Sequence, residues 1–88
     1  MEAVKRSCAF VIRMDMPLRT CKAIFEFLAD RNILIDSLQM QVIGGGEAIL
    51  ILHGRIERDR VRNVQRHLEK VDGVLSLELL EGKADNFR

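Results

Sequence analysis

The sequence predicts an α+β domain with element order β-α-β-β-α-β, and three observations carry that expectation. Apolar side chains alternate with a period of two over residues 7–14, an alternating set recurs within the aliphatic run 33–43, and residues 48–52 and 74–80 form two further short apolar runs. Two stripes at helical spacing, Leu18, Cys21, Ile24, Phe25, Leu28 and then Val61, Val64, Leu68, Val71, separate the first run from the second and the third from the fourth. The run Gly44-Gly45-Gly46 joins the two middle strands directly. With right-handed crossovers this order gives a ferredoxin-like βαββαβ sandwich: a four-stranded antiparallel sheet with two helices on one face.

Each element has its local reason. In the first strand Cys8, Phe10, Ile12 and Met14 alternate with Ser7, Ala9, Val11 and Arg13. Pro17 then supplies the fixed φ of a first helical turn, and Asp15 before it is expected to accept orphan N–H groups at the start of the first helix, which runs to about residues 30–32. The second strand carries the alternating set Leu34, Leu38, Met40 and Val42. Glycine supplies the positive φ of a hairpin, so the short run 48–52 is expected to pair back across Gly44-Gly45-Gly46. Gly73 stands where a left-handed residue would stop the second helix, and residues 74–80 close the sheet.

The chain of 88 residues holds one domain, placed at residues 6–81, with residues 1–5 and 82–88 expected to be flexible termini. Lys+Arg 14 against Asp+Glu 13 leaves a net charge of +1, so no global field draws in nucleic acid, an acidic substrate or a membrane surface. A composition of 48% hydrophobic and 31% charged residues excludes disorder, and no apolar run approaches the ~20 residues a bilayer demands. No signal-like segment opens the sequence, which implies a cytoplasmic location with reduced thiols. Both helices are expected on one face while both parities of the strands are apolar. A homodimer or another protein is therefore expected to cover the bare face or an edge strand.

Catalytic signals are missing. His53 and His67 lie far apart and without a glutamate at metal-ligand spacing, the serines lack nucleophile-elbow glycines, and Gly44-Gly45-Gly46 lacks the lysine of a phosphate loop. Cys8 and Cys21 match no zinc, redox or haem spacing and read as core residues. Single-stranded RNA readers of this topology stack bases on strand aromatics, whereas Phe10 is the only aromatic in a predicted strand here. Copper chaperones of this topology need two closely spaced cysteines in the first loop. Met14 and Met16 without a thiolate partner read instead as packing. An acylphosphatase-like loop is absent too. No enzyme activity, cofactor or metal is expected.

Asp15-Met16-Pro17, the helix segment from Ile24 to Asn32, Ile35-Asp36-Ser37-Leu38 and the stretch from Leu68 to Val74 together resemble the ACT domain, a small-molecule sensing module. The likeness spans about residues 6–81 and is greatest to the single-ACT small regulatory subunit of acetolactate synthase, of branched-chain amino-acid biosynthesis. The resemblance implies a non-catalytic, activating subunit of the acetolactate synthase large subunit, or alternatively a stand-alone homodimeric module sensing an amino acid or another small ligand. It places an effector between Asp15, Met16, Pro17, Leu18 and Arg19 of one subunit and the start of the second strand, Leu34 and Ile35, of another. Leu18 stands where that family usually has glycine. A leucine there blocks or reshapes the pocket, so valine, leucine or isoleucine is expected to bind weakly or not at all.

Overall fold

The computed structural model describes residues 5–81. Apart from Lys5, the termini expected to be flexible lie outside the described residues. The elements are β1 (Lys5–Asp15), α1 (Pro17–Asp30), β2 (Leu34–Gly44), β3 (Glu47–Glu57), a 3-10 turn (Arg58–Arg60), α2 (Val61–Glu69) and β4 (Val74–Glu81). The sheet is antiparallel throughout, in the order β2-β3-β1-β4.

Alternation decides what is inside. Cys8, Phe10, Ile12 and Met14 of β1 and Ala48, Leu50, Leu52 and Ile56 of β3 meet Cys21, Ile24 and Leu28 of α1 and Val61, Val64 and Leu68 of α2 in one core. Met14, Ile12, Ile24, Leu50 and Leu68 are completely excluded from solvent. Burying an aliphatic side chain of this kind stabilises by roughly 1.5–3 kcal/mol, so this double layer dominates the fold.

Several expected boundaries shift, each for a local reason. β3 continues past His53 to Glu57 because Gly54 does not end it: Gly54 is buried, and a Cβ there would lie 2.7 Å from the Leu34 carbonyl oxygen of the neighbouring strand. Gly44 still pairs with Glu47, and only Gly45 and Gly46 form the turn, both at positive φ as a two-residue hairpin demands. The second helix ends at Glu69 rather than near Val71, with Lys70 as its C-cap. Gly73, at φ +99°, lies beyond the helix, where the lack of a side chain lets β4 enter close to α1.

The buried face of α1 is Thr20, Cys21, Ile24 and Leu28. Leu18 and Phe25, expected on it, are exposed. At 100° per residue Leu18 lies about 105° from the centre of that stripe, and its side chain is 84% exposed.

β2 departs furthest from expectation. All eleven of its residues are exposed, including the set Leu34, Leu38, Met40 and Val42. The cause is topological: β2 is an edge strand, and the core the helices enclose is drawn from β1 and β3 with support from Leu77 and Leu79 of β4. The bare face of the sheet is less apolar than the parity of its strands implied. Val11, Ile49 and Ile51 sit half-buried at its centre. Around them lie an Arg13–Glu47 ion pair of 2.8 Å, an Arg55–Asp36 pair of 3.0 Å and a Ser37–His53 hydrogen bond of 2.9 Å.

Candidate functional site

The elbow between β1 and α1 is built by a clasp that ties it to the turn before β4. The Asp15 backbone N–H donates to the Gly73 carbonyl at 2.9 Å, and the Thr20 hydroxyl donates to the Asp15 carbonyl at 2.8 Å. The same hydroxyl oxygen lies 3.4 Å from the Asp72 carbonyl. Each such bond contributes on the order of 1 kcal/mol net, and Thr20 is completely buried. Thr20 did not stand out in the sequence, and Gly73 was read only as the stop of the second helix. Their signals were a polar residue on the apolar face of a helix and a glycine just past a helix end.

Asp15 does not cap α1 as expected. It is the last residue of β1, and the N-cap is Met16, held in the left-handed region at φ 45° and ψ 61° with no side-chain cap bond. A non-glycine residue there is strained by about 1–2 kcal/mol. The turn is held by the clasp and by the first helical bond, Thr20 N–H to the Met16 carbonyl at 3.0 Å. With Pro17 lacking an N–H, the first-turn amides of Leu18 and Arg19 have no intrahelical acceptor. The Asp15 Oδ1 atom is buried without a hydrogen-bond partner. One short loop thus combines unpaired first-turn amides with a buried, unpaired carboxylate oxygen.

The two halves of the expected effector site are not together in one chain. Leu34 pairs with Arg55, which pairs with Ser7 at the far end of β1 from Asp15. At ~3.3 Å per residue the loop and the start of β2 are separated by about 26 Å along the strands. Asp15, Met16, Pro17, Leu18 and Arg19 form one locus; Leu34 and Ile35, both exposed, form another.

Burial raises the thiol pKa of Cys8, with Glu81 adding to the rise and Arg6 opposing it, and burial alone raises that of Cys21. Neither thiol is an activated nucleophile. His67 stacks on Phe27 with ring centroids 4.9 Å apart, and the Arg31 guanidinium lies over the same Phe27 ring. His67 is thereby a packing residue at the helix–helix surface. No helix among the described residues is long and apolar enough to cross a membrane.

No family model and no curated protein matches the sequence. Solved structures do match. The layers, strand order and crossovers define a ferredoxin-like βαββαβ domain. Within that class the fold is the one ACT domains have: the ACT domain of GTP pyrophosphokinase from Chlorobium tepidum superposes with a TM-score of 0.75 at 17% identity, over 88% of this chain and 100% of that one. A putative glycine cleavage system transcriptional repressor gives 0.68 at 18% identity, over 93% of this chain and 50% of that one. The C-terminal domain of the MgtC protein from Mycobacterium tuberculosis gives 0.71 at 10% identity over 93% of each. At these identities the likeness is one of fold.

Proposed function

We propose that this chain is a non-catalytic regulatory module that works as a homodimer and, by its resemblance to the small subunit of acetolactate synthase, activates the large subunit of that enzyme. The observation that carries this reading is β2. An edge strand of eleven exposed residues, six of them large and apolar, offers both unpaired backbone groups and an apolar surface. Two copies pairing β2 to β2 about a two-fold axis would join their sheets. The antiparallel pairing would carry the start of one β2 toward the hairpin end of the other, the end at which each copy's Asp15–Arg19 loop lies. That arrangement offers a way to bring together the two loci that one chain holds apart. Activation of a large subunit would then be a population shift, which requires tighter binding to its active state than to its inactive one.

The test has two arms. Sedimentation at micromolar concentration is expected to show a dimer or larger assembly, and a monomer throughout would remove the physical basis of the reading. Reconstitution with the acetolactate synthase large subunit of the same genome is expected to raise the rate of pyruvate condensation. Unchanged activity at saturating small chain, with no complex on size exclusion, would eliminate the enzyme-subunit role.

A second reading, a stand-alone dimeric sensor of an amino acid or another small ligand, is favoured by one specific observation: the Asp15 Oδ1 atom, in the loop that opens α1, is buried without a hydrogen-bond partner. Such an oxygen suits the ammonium group of an α-amino acid. Effector binding with no large subunit co-purifying would select this reading over the first.

A further inference from the structure

We propose that the thiol of Cys21 and the thioethers of Met14 and Met40 form a binding site for a soft monovalent metal ion, copper(I), on the flank of the sheet between α1 and β2. The sequence offered Met14 and Met16 with no thiolate; the fold supplies one and replaces Met16 with a methionine from another strand. The Sγ of Cys21 lies 3.6 Å from the Sδ of Met14 and 3.6 Å from the Sδ of Met40. Metal–sulfur bonds are about 2.3 Å, so two sulfurs sharing one ion in trigonal geometry stand about 4 Å apart. Each of the two Cys21 spacings needs to open by only a few tenths of an ångström.

Ligand chemistry sets the metal. Thiolate and thioether donors are soft and select copper(I) over magnesium, calcium or manganese. Two of the three donors are neutral, so a single thiolate cancels the single charge of copper(I) and the filled site carries no net charge, which a buried setting requires. A divalent ion would leave a charge there. Nor is there a better place for one: no group of three or more His, Cys, Asp or Glu side chains suited to a metal occurs among the described residues.

Binding exchanges a proton for the metal without electron transfer: Cys21–SH and Cu(I) give Cys21–S–Cu(I), and the proton passes to solvent. Because each ion bound releases one proton, occupancy falls as pH falls. Access is built in. Met14 is fully buried and Cys21 nearly so, but Met40 is 41% exposed on the edge strand and can lead an ion inward. Cys8 serves as the internal control, since its Sγ lies 3.7 Å from the Arg6 carbonyl and outside the cluster.

The full chain, reduced and kept anaerobic, is titrated with copper(I) against a chromophoric copper(I) chelator. The expected result is one ion per chain, with a thiolate-to-copper charge-transfer band in the ultraviolet that fades on acidification and withstands a large excess of zinc. Met40→Leu, which keeps an apolar side chain of similar size while removing the sulfur, is expected to weaken binding by more than about tenfold, the lower end of what losing even an outer contact costs a metal site. Cys21→Ser is expected to abolish it and Cys8→Ser to leave it unchanged. No binding by the wild type, undiminished binding in both Met40→Leu and Cys21→Ser, or equal loss in Cys8→Ser would overturn the proposal. Should Cys21→Ser fail to fold, Met40→Leu alone decides: undiminished binding overturns the proposal, and a loss beyond tenfold supports it.

Discussion

Replacing Gly73 with alanine strikes the clasp that shapes the β1–α1 elbow. Two contributions add. At φ +99° the alanine backbone is left-handed, a cost of about 1–2 kcal/mol. Its methyl group would also overlap the Thr20 hydroxyl and crowd the Asp15 carbonyl, with Thr20 Cβ at 3.2 Å and Asp15 O at 3.3 Å. Thr20 would have to turn away, and a buried hydroxyl and carbonyl left unpaired cost about 1–3 kcal/mol. Gly73→Ala is therefore expected to destabilise by about 2–5 kcal/mol. A domain of this size loses about 4–8 °C per kcal/mol, so the melting temperature should fall by at least about 8 °C. Gly45→Ala is the control: its φ is +62°, but nothing lies within 4 Å of the added Cβ. It should show the conformational cost alone. Urea denaturation of both variants, and of Gly73→Ala in a Thr20→Ala background, separates the contributions. A Gly73→Ala loss no larger than that of Gly45→Ala, or a vanishing coupling to Thr20, would refute the clasp.

Gly54→Ala should detach the start of β2, since the new Cβ would sit 2.7 Å from the Leu34 carbonyl and only backbone movement relieves it; amide exchange around residues 34–35 is expected to accelerate, and unchanged protection there would contradict the close approach. The raised pKa values of Cys8 and Cys21 make folding stability pH-dependent at the alkaline end: the unfolded thiols ionise first, near pH 8.5, so stability is full below that value and declines as pH rises through the higher folded values. Denaturant midpoints should fall above about pH 8.5 in the wild type and fall less in Cys8→Ala; a flat profile would contradict burial of the thiols. Calorimetry with valine, leucine and isoleucine should give weak or no binding by the wild type and gain of binding in Leu18→Gly. Because the Leu18 side chain lies in solvent within one chain, tight wild-type binding would show that it leaves the amides of α1 open.

Periodicity made the element order legible, because both helices and the central strands bury one continuous stripe each. It failed where burial is decided by neighbours. The alternation of Leu34, Leu38, Met40 and Val42 looks in sequence like that of Phe10, Ile12 and Met14, yet one set is exposed and the other buried. Strand order, not pattern, makes the difference. The apolar run 48–52 did not show that its strand continues to Glu57 through Gly54, which permits a close approach between two strands. The turn at residues 15–19 was legible from Pro17 and its flanking residues, while its reading as an effector locus came from the family resemblance alone. The contacts of Thr20, Gly73 and Met40 were not legible, since each meets a residue distant in sequence: Asp72 for the first, Asp15 for the second and Cys21 for the third.

The strand order has a consequence for how the domain is made. β1 is the first strand to leave the ribosome, yet it lies between β3 and β4, and neither of its partners exists until most of the domain has been synthesised. Its apolar residues have only α1 to pack against while β2, exposed along its whole length in the finished domain, emerges after it. A long closure precedes the last pairing of β1, Cys8 beside Glu81, and such non-local contacts slow folding. Stalling of synthesis within residues 74–81 would leave the central strand open along one side, a template for another chain.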